Sequence, residues 1–352
     1  MVYGWASTIS HEPSTIRQPM PYRLKKWFNR QLNRLEFRLR RPVLSSFPTL
    51  AYVEPTNICT LRCALCPSGQ RKLSPLGKMP LSVFQQVLDV LGPYLRQVHL
   101  YNWGEPLLHE ELPEMVAYAK RFGCEAWVST NLAVVKDGMA RRLVKAGLDC
   151  LNVSIDGASQ ATYESYRAGG KFDEVVENLR LFVREREATG SRLPEIRWQF
   201  LVTKKNEAEL DAARKMAESI GVRFHAKRLR VNMASFLAES ATDAAASHQE
   251  WLPENQQFNR YSPEKIRRKV ARGCKHLWDR VVINWDGSVS PCCQIYEPKY
   301  YFAPKFEGDF RAIWNGPPYV AARRLFGRGG SELTAKGPEV VCKKCIEMGT
   351  LA

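Results

Sequence analysis

The sequence predicts an α/β fold in which parallel strands alternate with helices. Short apolar runs recur between residues 50 and 226, and each is followed by a stretch whose apolar residues have helical spacing. This rhythm makes about six strand–helix units, which suffice for either an open sheet or a partial (β/α)6 barrel with its helices outside. In both architectures, functional residues belong at the carboxyl ends of the strands.

Each strand is assigned from a short apolar run, and each helix from apolar residues that recur every three or four positions. The first run, 50–54, reads LAYVE and leads directly into a loop rich in cysteine. The helix after that loop, 81–91, reads LSVFQQVLDVL and repeats its apolar residues with the helical period. Further strands are predicted at 97–101, 126–130, 150–155, 196–203 and 222–226. Further helices are predicted at 112–122, at 137–146, in the stretch that ends near 187, and at 208–220.

Composition divides the chain into four segments. Residues 1–47 form an N-terminal extension, and residues 48–230 form the α/β core. Residues 231–272 are polar and poorly periodic, as expected for a linker or lid. Residues 273–352 form a small module that contains several cysteines.

The overall composition predicts a globular cytoplasmic protein. The 352 residues are 45% hydrophobic and 25% charged, and no apolar run reaches the roughly 18 residues needed to span a bilayer. The N-terminus lacks the apolar segment of a signal peptide. In a large chain of this kind, ten cysteines favour metal binding over disulfides.

The basic charge is concentrated near the N-terminus. The net charge of +16 favours an anionic partner, and residues 23–41 read RLKKWFNRQLNRLEFRLRR, a basic amphipathic helix. This helix could pack on the main domain with solvated charges, lie on a membrane surface, or bind nucleic acid or another partner. We expect no nucleic acid, because the chain shows no RNA-binding or helix-turn-helix motif.

Three closely spaced cysteines are the most informative motif. Cys59, Cys63 and Cys66, here called the N-terminal triplet, have the spacing C-x3-C-x2-C directly after the first predicted strand. A structural zinc site takes four protein ligands, so three thiolates fit better around a four-iron cluster that keeps one iron open. A zinc site or separately buried cysteines are the alternatives.

This motif at the end of a first strand resembles the radical S-adenosylmethionine (SAM) superfamily. The resemblance implies a partial barrel of the radical SAM type, with a [4Fe-4S] cluster held by the N-terminal triplet and SAM chelated to the open iron. It also implies reductive cleavage of SAM to a 5′-deoxyadenosyl radical, which removes a hydrogen atom from the substrate. The family's reductant is a flavodoxin or a ferredoxin.

Segments at later strand ends extend the resemblance. Trp103-Gly-Glu-Pro106 is similar to the family's Gly-Gly-Glu-Pro motif, with Trp103 in place of the first glycine. The resemblance implies that Glu105 accepts hydrogen bonds from the ammonium group of SAM. It implies contacts of Ser154 and Arg167 with the ribose or carboxylate of SAM, since an arginine fork can bind both carboxylate oxygens.

Other candidates for cofactor binding rest on position in the motif. The resemblance implies that Leu65, between the last two cysteines of the triplet, lies near the adenine of SAM. Asn131 and Asp156 follow the third and fourth predicted strands. They are weaker candidates, because residues of this type are also common as turn and cap residues.

A second group of cysteines lies near the C-terminus. Cys274, Cys292, Cys342 and Cys345 are here called the C-terminal set, and their spacing alone permits a zinc ribbon. Twelve residues, Gly287 and four more residues separate Cys274 from Cys292, and this pattern resembles the start of a SPASM or twitch module. The layout is similar to that of the butirosin-pathway aminocyclitol dehydrogenase. The resemblance implies one auxiliary [4Fe-4S] cluster held by all four cysteines.

Three further cysteines remain. Cys293 could replace Cys292 as a ligand, donate a hydrogen atom to a substrate radical, or be buried without a catalytic role. Cys124 and Cys150 flank apolar strands and are predicted to be core residues, because free cysteine behaves as a small hydrophobe.

The contrast between an open and a closed cluster predicts an oxidation. A fully ligated auxiliary cluster favours electron transfer, so the leading hypothesis is dehydrogenation of a sugar, aminocyclitol or similar polyol. An epimerase and a ribosomal-peptide maturase are the alternatives, although residues 1–47 are too short for the winged-helix domain that many maturases carry. A non-catalytic zinc or nucleic-acid-binding protein is a remote alternative.

Overall fold

One twisted sheet organises the protein. The computed structural model describes residues 20–229, 248–259, 274–327 and 340–347. Within these residues the strands form an eight-stranded sheet of order β6-β5-β4-β3-β2-β1-β7-β8. The strands are β1 Leu50–Val53, β2 Gln97–His99, β3 Glu125–Thr130, β4 Cys150–Ser154, β5 Glu195–Val202, β6 Arg223–Arg228, β7 Arg280–Ile283 and β8 Val289–Ser290.

Helices cover the outer face of this sheet and extend beyond it. The core helices are α1 Met20–Arg38, α2 Leu81–Leu91, α3 Leu112–Arg121, α4 Met139–Lys145, α5 Gln160–Tyr166, α6 Phe172–Ala188 and α7 Leu210–Ile220. The C-terminal helices are α8 His276–Asp279, α9 Phe310–Trp314, α10 Pro317–Arg324 and α11 Val341–Glu347.

The alternation predicted from the sequence is confirmed. Strands β1 to β6 pair in parallel in chain order, and the sheet stays open, so the architecture is a partial barrel. The long helical stretch before 188 is two helices rather than one. The chain turns between them at Gly169, whose φ of 84° favours glycine.

The C-terminal module joins the same sheet. Strand β7 pairs in parallel with β1, and β8 pairs antiparallel with β7 around the turn at Gly287, whose φ is also 84°. The segment boundaries near 48, 230 and 273 stay predictions, and most of 231–272 lies outside the described residues.

The main core lies between the sheet and its helices. Strand β4 is buried along its whole length, as expected for a central parallel strand covered on both faces. Cys124 and Cys150 are 1% and 2% exposed, which confirms that they are core residues. Helix α1 begins close to the predicted basic segment and packs near the amino ends of the strands, where Lys26 Nζ donates to the carbonyl of Phe122 at 2.6 Å. No helix among the described residues has the length and apolar character needed to cross a bilayer.

Candidate active site

The N-terminal triplet lies in the loop that follows β1, at the carboxyl edge of the sheet. Cys63 is buried, and Cys59 and Cys66 are half-buried. The loop is held against the end of α5, because Arg62 N donates to Ala168 O at 2.9 Å and Ala64 N donates to Tyr166 O at 3.2 Å. The parallel sheet therefore delivers the triplet to the edge where functional residues were expected.

Burial controls the chemistry of these thiols. Burial is the main reason why the pKa of Cys59 is raised to about 11 and that of Cys63 to about 12, and the charge of Cys66 contributes to both rises. The mutual influence shows that the three sulfurs are neighbours. Buried, soft sulfur ligands that must lose their protons on binding suit an iron–sulfur cluster. Among the described residues, no three His, Cys, Asp or Glu side chains have the geometry of a site for one metal ion.

Arg167 is positioned beside the triplet by a buried carboxylate. Its Nη1 lies 3.8 Å from Cys63 Sγ, while its Nε donates to Asp156 Oδ2 at 2.7 Å. Asp156 is 1% exposed, and its Oδ1 accepts a hydrogen bond from Leu201 N at 2.6 Å. Asp156 thus fixes the orientation of a guanidinium that faces the cysteine loop.

Glu105 connects the ends of β2 and β3 behind the triplet. Its Oε1 accepts from Leu107 N at 3.0 Å and from Thr130 Oγ1 at 2.7 Å, and its Oε2 accepts from Asn131 N at 2.7 Å. Burial raises the pKa of Glu105, and these donors oppose the rise. Oε2 keeps a second acceptor position, which could accept a hydrogen bond from the SAM ammonium group. That contact stays a prediction. The Asn131 amide also reaches Cys59 Sγ, with Nδ2 at 3.5 Å.

The departure at Trp103 has a structural explanation. Its backbone N–H donates to Glu54 Oε1 at 2.8 Å, and its ring meets Tyr296 of the C-terminal module edge-on at 5.8 Å. The following Gly104 is required, because a Cβ there would lie 2.0 Å from Thr56 O. The turn therefore retains Gly104, where packing requires a glycine, and Trp103 contacts the C-terminal module.

Glu54 is a structural residue that the sequence reasoning missed. It follows β1 directly and is 2% exposed, and burial raises its pKa to about 7. Backbone N–H groups of Trp103, Gly104 and Trp285 donate to it, so it joins the Gly-Glu-Pro turn to the β7–β8 hairpin. A single acidic residue at the end of an apolar strand was the only signal in the sequence.

Apolar side chains pack against the triplet. Leu65 is 4% exposed and belongs to a cluster with Tyr166 and Trp251, whose rings meet edge-on at 5.5 Å. Trp251 comes from the segment predicted to be a linker or lid, so the described part of that segment packs on the site. Ser154 is also buried and accepts from Gln199 Nε2 at 3.4 Å.

Aromatic side chains on strands β1 to β3, and directly after β2, form a second feature that sequence reasoning missed. His99 stacks on Tyr101 and on Trp127 with 5.3 Å between ring centroids, and Tyr52 meets it edge-on at 4.8 Å. Burial lowers the pKa of His99 to about 3, so its ring is neutral. Its Nδ1 lies 3.0 Å from the Tyr101 hydroxyl, while its Nε2 has no hydrogen-bond partner among the described residues.

The C-terminal set is brought together by the fold. Burial raises the pKa of Cys274 to about 11 and raises those of Cys292 and Cys342 well above the usual range. Each of these pKa values also responds to the charge of Cys345, so the four sulfurs are neighbours. Cys293 is half-buried, and its charge raises the pKa of Tyr101 in addition to the larger effect of burial. Its predicted roles as ligand or hydrogen donor stay predictions.

Two family models match the chain. The radical SAM superfamily model matches residues 53–191, and the SPASM iron-sulfur cluster-binding domain matches residues 274–346. The chain belongs to the radical SAM superfamily. It has a C-terminal SPASM module, and its cofactors are a [4Fe-4S] cluster, SAM and an auxiliary iron–sulfur cluster.

Curated relatives of this radical SAM protein are distant. It is 27% identical over 256 residues to the tungsten-containing aldehyde ferredoxin oxidoreductase cofactor-modifying protein of Pyrococcus furiosus, across 68% of this chain and 70% of that protein. It is 27% identical over 179 residues to the mycofactocin maturase MftC of Mycobacterium tuberculosis, across 50% of this chain and 44% of that protein. The chain therefore spans less than half of the second relative.

Solved structures share the fold. SuiB of Streptococcus suis bound to SAM superposes with a TM-score of 0.59 at 16% identity, covering 95% of this chain and 83% of SuiB. SuiB bound to the precursor peptide SuiA gives a TM-score of 0.60 at 14% identity, covering 96% of this chain and 85% of SuiB. The shared architecture includes both the partial barrel and the C-terminal module.

Proposed function

We propose that this protein is a radical SAM enzyme that matures a peptide substrate. The motifs by themselves favour dehydrogenation of a polyol, with peptide maturation as an alternative. The relatives support the alternative better, because one is a maturase and the structural neighbour was crystallised with a precursor peptide. Epimerisation within a peptide would be one form of such maturation.

The open edge of the barrel is the observation that carries the proposal. Among the described residues, β6 has β5 on one side and no strand on the other. Arg223, His225 and Lys227 occupy alternate positions of β6, so they lie on one face, and all three are exposed. An extended peptide can reach the site through such an opening and can pair its backbone with an exposed strand, whereas a small polyol needs neither feature.

The chain's own residues would position SAM. When bound, the first cluster and SAM supply a carbon-centred radical that removes a hydrogen atom from the substrate. Arg167, fixed by Asp156, would bind the SAM carboxylate, and Glu105 its ammonium group. Ser154 would contact the ribose. Leu65 would pack near the adenine, where its apolar cluster excludes water.

The C-terminal set would hold the auxiliary cluster. Four cysteines leave no iron open to the substrate, which suits electron transfer more than substrate binding. Such a role is compatible with an oxidative modification of a peptide. A flavodoxin or ferredoxin stays the predicted reductant, and the basic surface of the protein would suit an acidic partner of this kind.

The test follows the hydrogen atom. The protein is reconstituted anaerobically with iron and sulfide, reduced with dithionite, and incubated with SAM and either perdeuterated peptides or perdeuterated polyols. With the perdeuterated peptides, we expect mass spectrometry to detect deuterium in 5′-deoxyadenosine. Deuterium transfer from the polyols alone would overturn the proposal and support dehydrogenation of a polyol.

A further inference from the structure

Helix α1 packs with its polar face inward and its apolar face outward. Asn29, Asn33 and Glu36, at helical spacing, are 7%, 2% and 0% exposed. On the outer side the exposed fractions are 59% for Leu24, 55% for Trp27, 64% for Phe28, 52% for Leu35 and 62% for Leu39. A surface helix of a globular protein normally buries its apolar side. The inversion therefore needs a cause outside the described fold.

Specific hydrogen bonds hold the helix in this orientation. Asn29 exchanges hydrogen bonds with the backbone of Phe47, with Nδ2 3.0 Å from Phe47 O and Phe47 N 2.8 Å from Oδ1. Glu36 accepts from Ser45 N at 2.7 Å and from Ser46 Oγ at 2.6 Å. Asn33 donates to Ser46 Oγ at 3.1 Å and to the carbonyl of Trp278. Rotating the apolar face inward would break all of these bonds and leave buried polar groups unpaired.

A row of arginines borders the apolar face. Arg23, Arg30, Arg34 and Arg38 are spaced by seven, four and four residues, so they lie in one column along α1. All four are exposed, and none of them forms an ion pair within the described residues. The outer side of α1 therefore combines large apolar side chains with positive charge that no described residue compensates by an ion pair.

A groove continues the apolar face toward the body of the protein. It has a volume of about 630 Å³ and lies between α1 and the loop before β1. Phe28, Leu32, Leu35, Phe47 and Tyr94 contribute to its lining, together with Lys25 and Arg311. The groove therefore has the same combination as the outer side of α1, which is an apolar surface bordered by cations.

We propose that the outer side of α1 docks on the surface of an anionic lipid bilayer. Apolar side chains enter the boundary between headgroups and acyl chains, while flanking arginines bind anionic headgroups, as in interfacial amphipathic helices. Binding to nucleic acid would use the arginines but would leave Trp27 and Phe28 in water. The charges of a second copy of this basic chain would repel the arginine row rather than complement it.

The position of α1 separates this surface from the active site. Its contacts reach Phe122 just before β3 and Trp278 just before β7, at the amino edge of the sheet. The N-terminal triplet lies at the carboxyl edge. Docking through α1 would therefore hold the protein on a membrane while its site faces away from the bilayer, so this surface serves localisation rather than substrate entry.

Vesicle flotation with the full chain tests the proposal. The vesicles contain phosphatidylcholine alone or phosphatidylcholine with a quarter of phosphatidylglycerol. We expect the protein to float with the anionic vesicles at low ionic strength, and much less with neutral vesicles or in 0.5 M salt, since screening weakens the arginine contacts. Absence of flotation, or equal flotation with both vesicles, would overturn the proposal.

Two double variants divide the apolar and charged contributions. Trp27→Gln with Phe28→Gln should reduce binding to the background level. Arg30→Gln with Arg34→Gln should weaken partitioning about 25-fold, at about fivefold for each arginine. Wild-type flotation by either double variant would contradict the proposed surface.

Matched controls change the same residue types elsewhere. Leu193→Gln replaces another exposed apolar residue, and Arg180→Gln with Arg184→Gln removes two charges from the exposed side of α6. We expect these controls to float like the unchanged protein. All variants should keep the SAM cleavage and the thermal unfolding of the parent chain. If the α1 variants instead lose affinity for duplex DNA while flotation is unaffected, the surface binds nucleic acid and the membrane proposal fails.

Discussion

The N-terminal triplet and the C-terminal set have different surroundings. Beside the triplet lie a guanidinium and an amide, with Arg167 3.8 Å from Cys63 Sγ and Asn131 3.5 Å from Cys59 Sγ. Three cysteines of the C-terminal set, Cys292, Cys342 and Cys345, pack instead with Ile295, Val341 and two tyrosines. Both sets are substantially buried, so burial by itself does not separate them.

The difference lies in what each site offers besides sulfur. Polar groups beside the triplet can bind a charged cofactor, and hydrogen bonds to sulfur also tune the potential of a cluster. Four sulfurs in mainly apolar surroundings close a cluster off from ligands. The comparison therefore favours the proposed SAM binding at the first site and the proposed closed cluster at the second.

Loss of the N-terminal triplet should have the largest effect. Replacing Cys59, Cys63 and Cys66 together by alanine should abolish SAM cleavage and leave about half of the iron, because the auxiliary cluster remains. Iron analysis and chromatography of 5′-deoxyadenosine measure both quantities. Retained cleavage would remove the triplet from the proposed site.

Loss of part of the C-terminal set should separate two activities. Replacing Cys342 and Cys345 by alanine should also remove about half of the iron. If the auxiliary cluster serves as electron acceptor, product formation should stop while some SAM cleavage persists. Unchanged product formation would end the assignment of electron transfer to this set.

Removing the charge of Arg167 should weaken cofactor binding without loss of iron. A charge-assisted bond to a carboxylate contributes about 1.5–3 kcal/mol, so Arg167→Gln should raise the dissociation constant for SAM roughly 10- to 100-fold. Equilibrium binding to the reconstituted protein measures this constant. Arg180→Gln, on the exposed side of α6, is the control and should bind SAM normally. Equal affinity in both variants would place the SAM carboxylate elsewhere.

Replacing Glu54, which joins the two regions, should have the smallest effect on the reaction. Its effect should be on stability instead. Its pKa is raised from 4.5 to about 7, so its stabilising contribution is complete below pH 4.5 and is lost as the pH rises to about 7. The free energy of unfolding should fall by up to about 3 kcal/mol across this window. Denaturant titrations of the apoprotein should show this slope, and Glu54→Gln should flatten it.

Glu110→Gln is a control of opposite sign. Its side chain is bonded to Lys136 and Lys78, which lower its pKa to about 2. Any stability linked to Glu110 is therefore present above pH 4.5 and lost toward pH 2. The slope between pH 5 and pH 7 should persist in this variant. A slope unchanged by Glu54→Gln would show that another group titrates in that window.

Much of the fold and of the first site followed from local patterns. Strand and helix bounds agree with the structure to within a few residues, because hydrophobic period depends on neighbours along the chain. The triplet and the turn at Glu105 were recognisable for the same reason, since each motif is contiguous. The break at Gly169 was missed, although the adjacent glycines at 169 and 170 are a local turn signal.

Other features depend on contacts between distant segments. Glu54 acquires its three donors from turns about 50 and 230 residues away, which no local pattern encodes. The aromatic group around His99 arises because three parallel strands place their side chains on one face. The union of β7 with β1 likewise depends on tertiary pairing.

The sequence by itself determined that this chain alternates strands and helices, presents three cysteines after its first strand and ends in a second cysteine group. Tertiary structure alone decided that Arg167 faces Cys63 and that the polar side of α1 turns inward. Hydrophobic period specifies which residues share a face, but it does not specify what lies opposite that face. In α1 the partners opposite Asn29, Asn33 and Glu36 are backbone and serine groups, and their hydrogen bonds outweigh the usual burial of the apolar side.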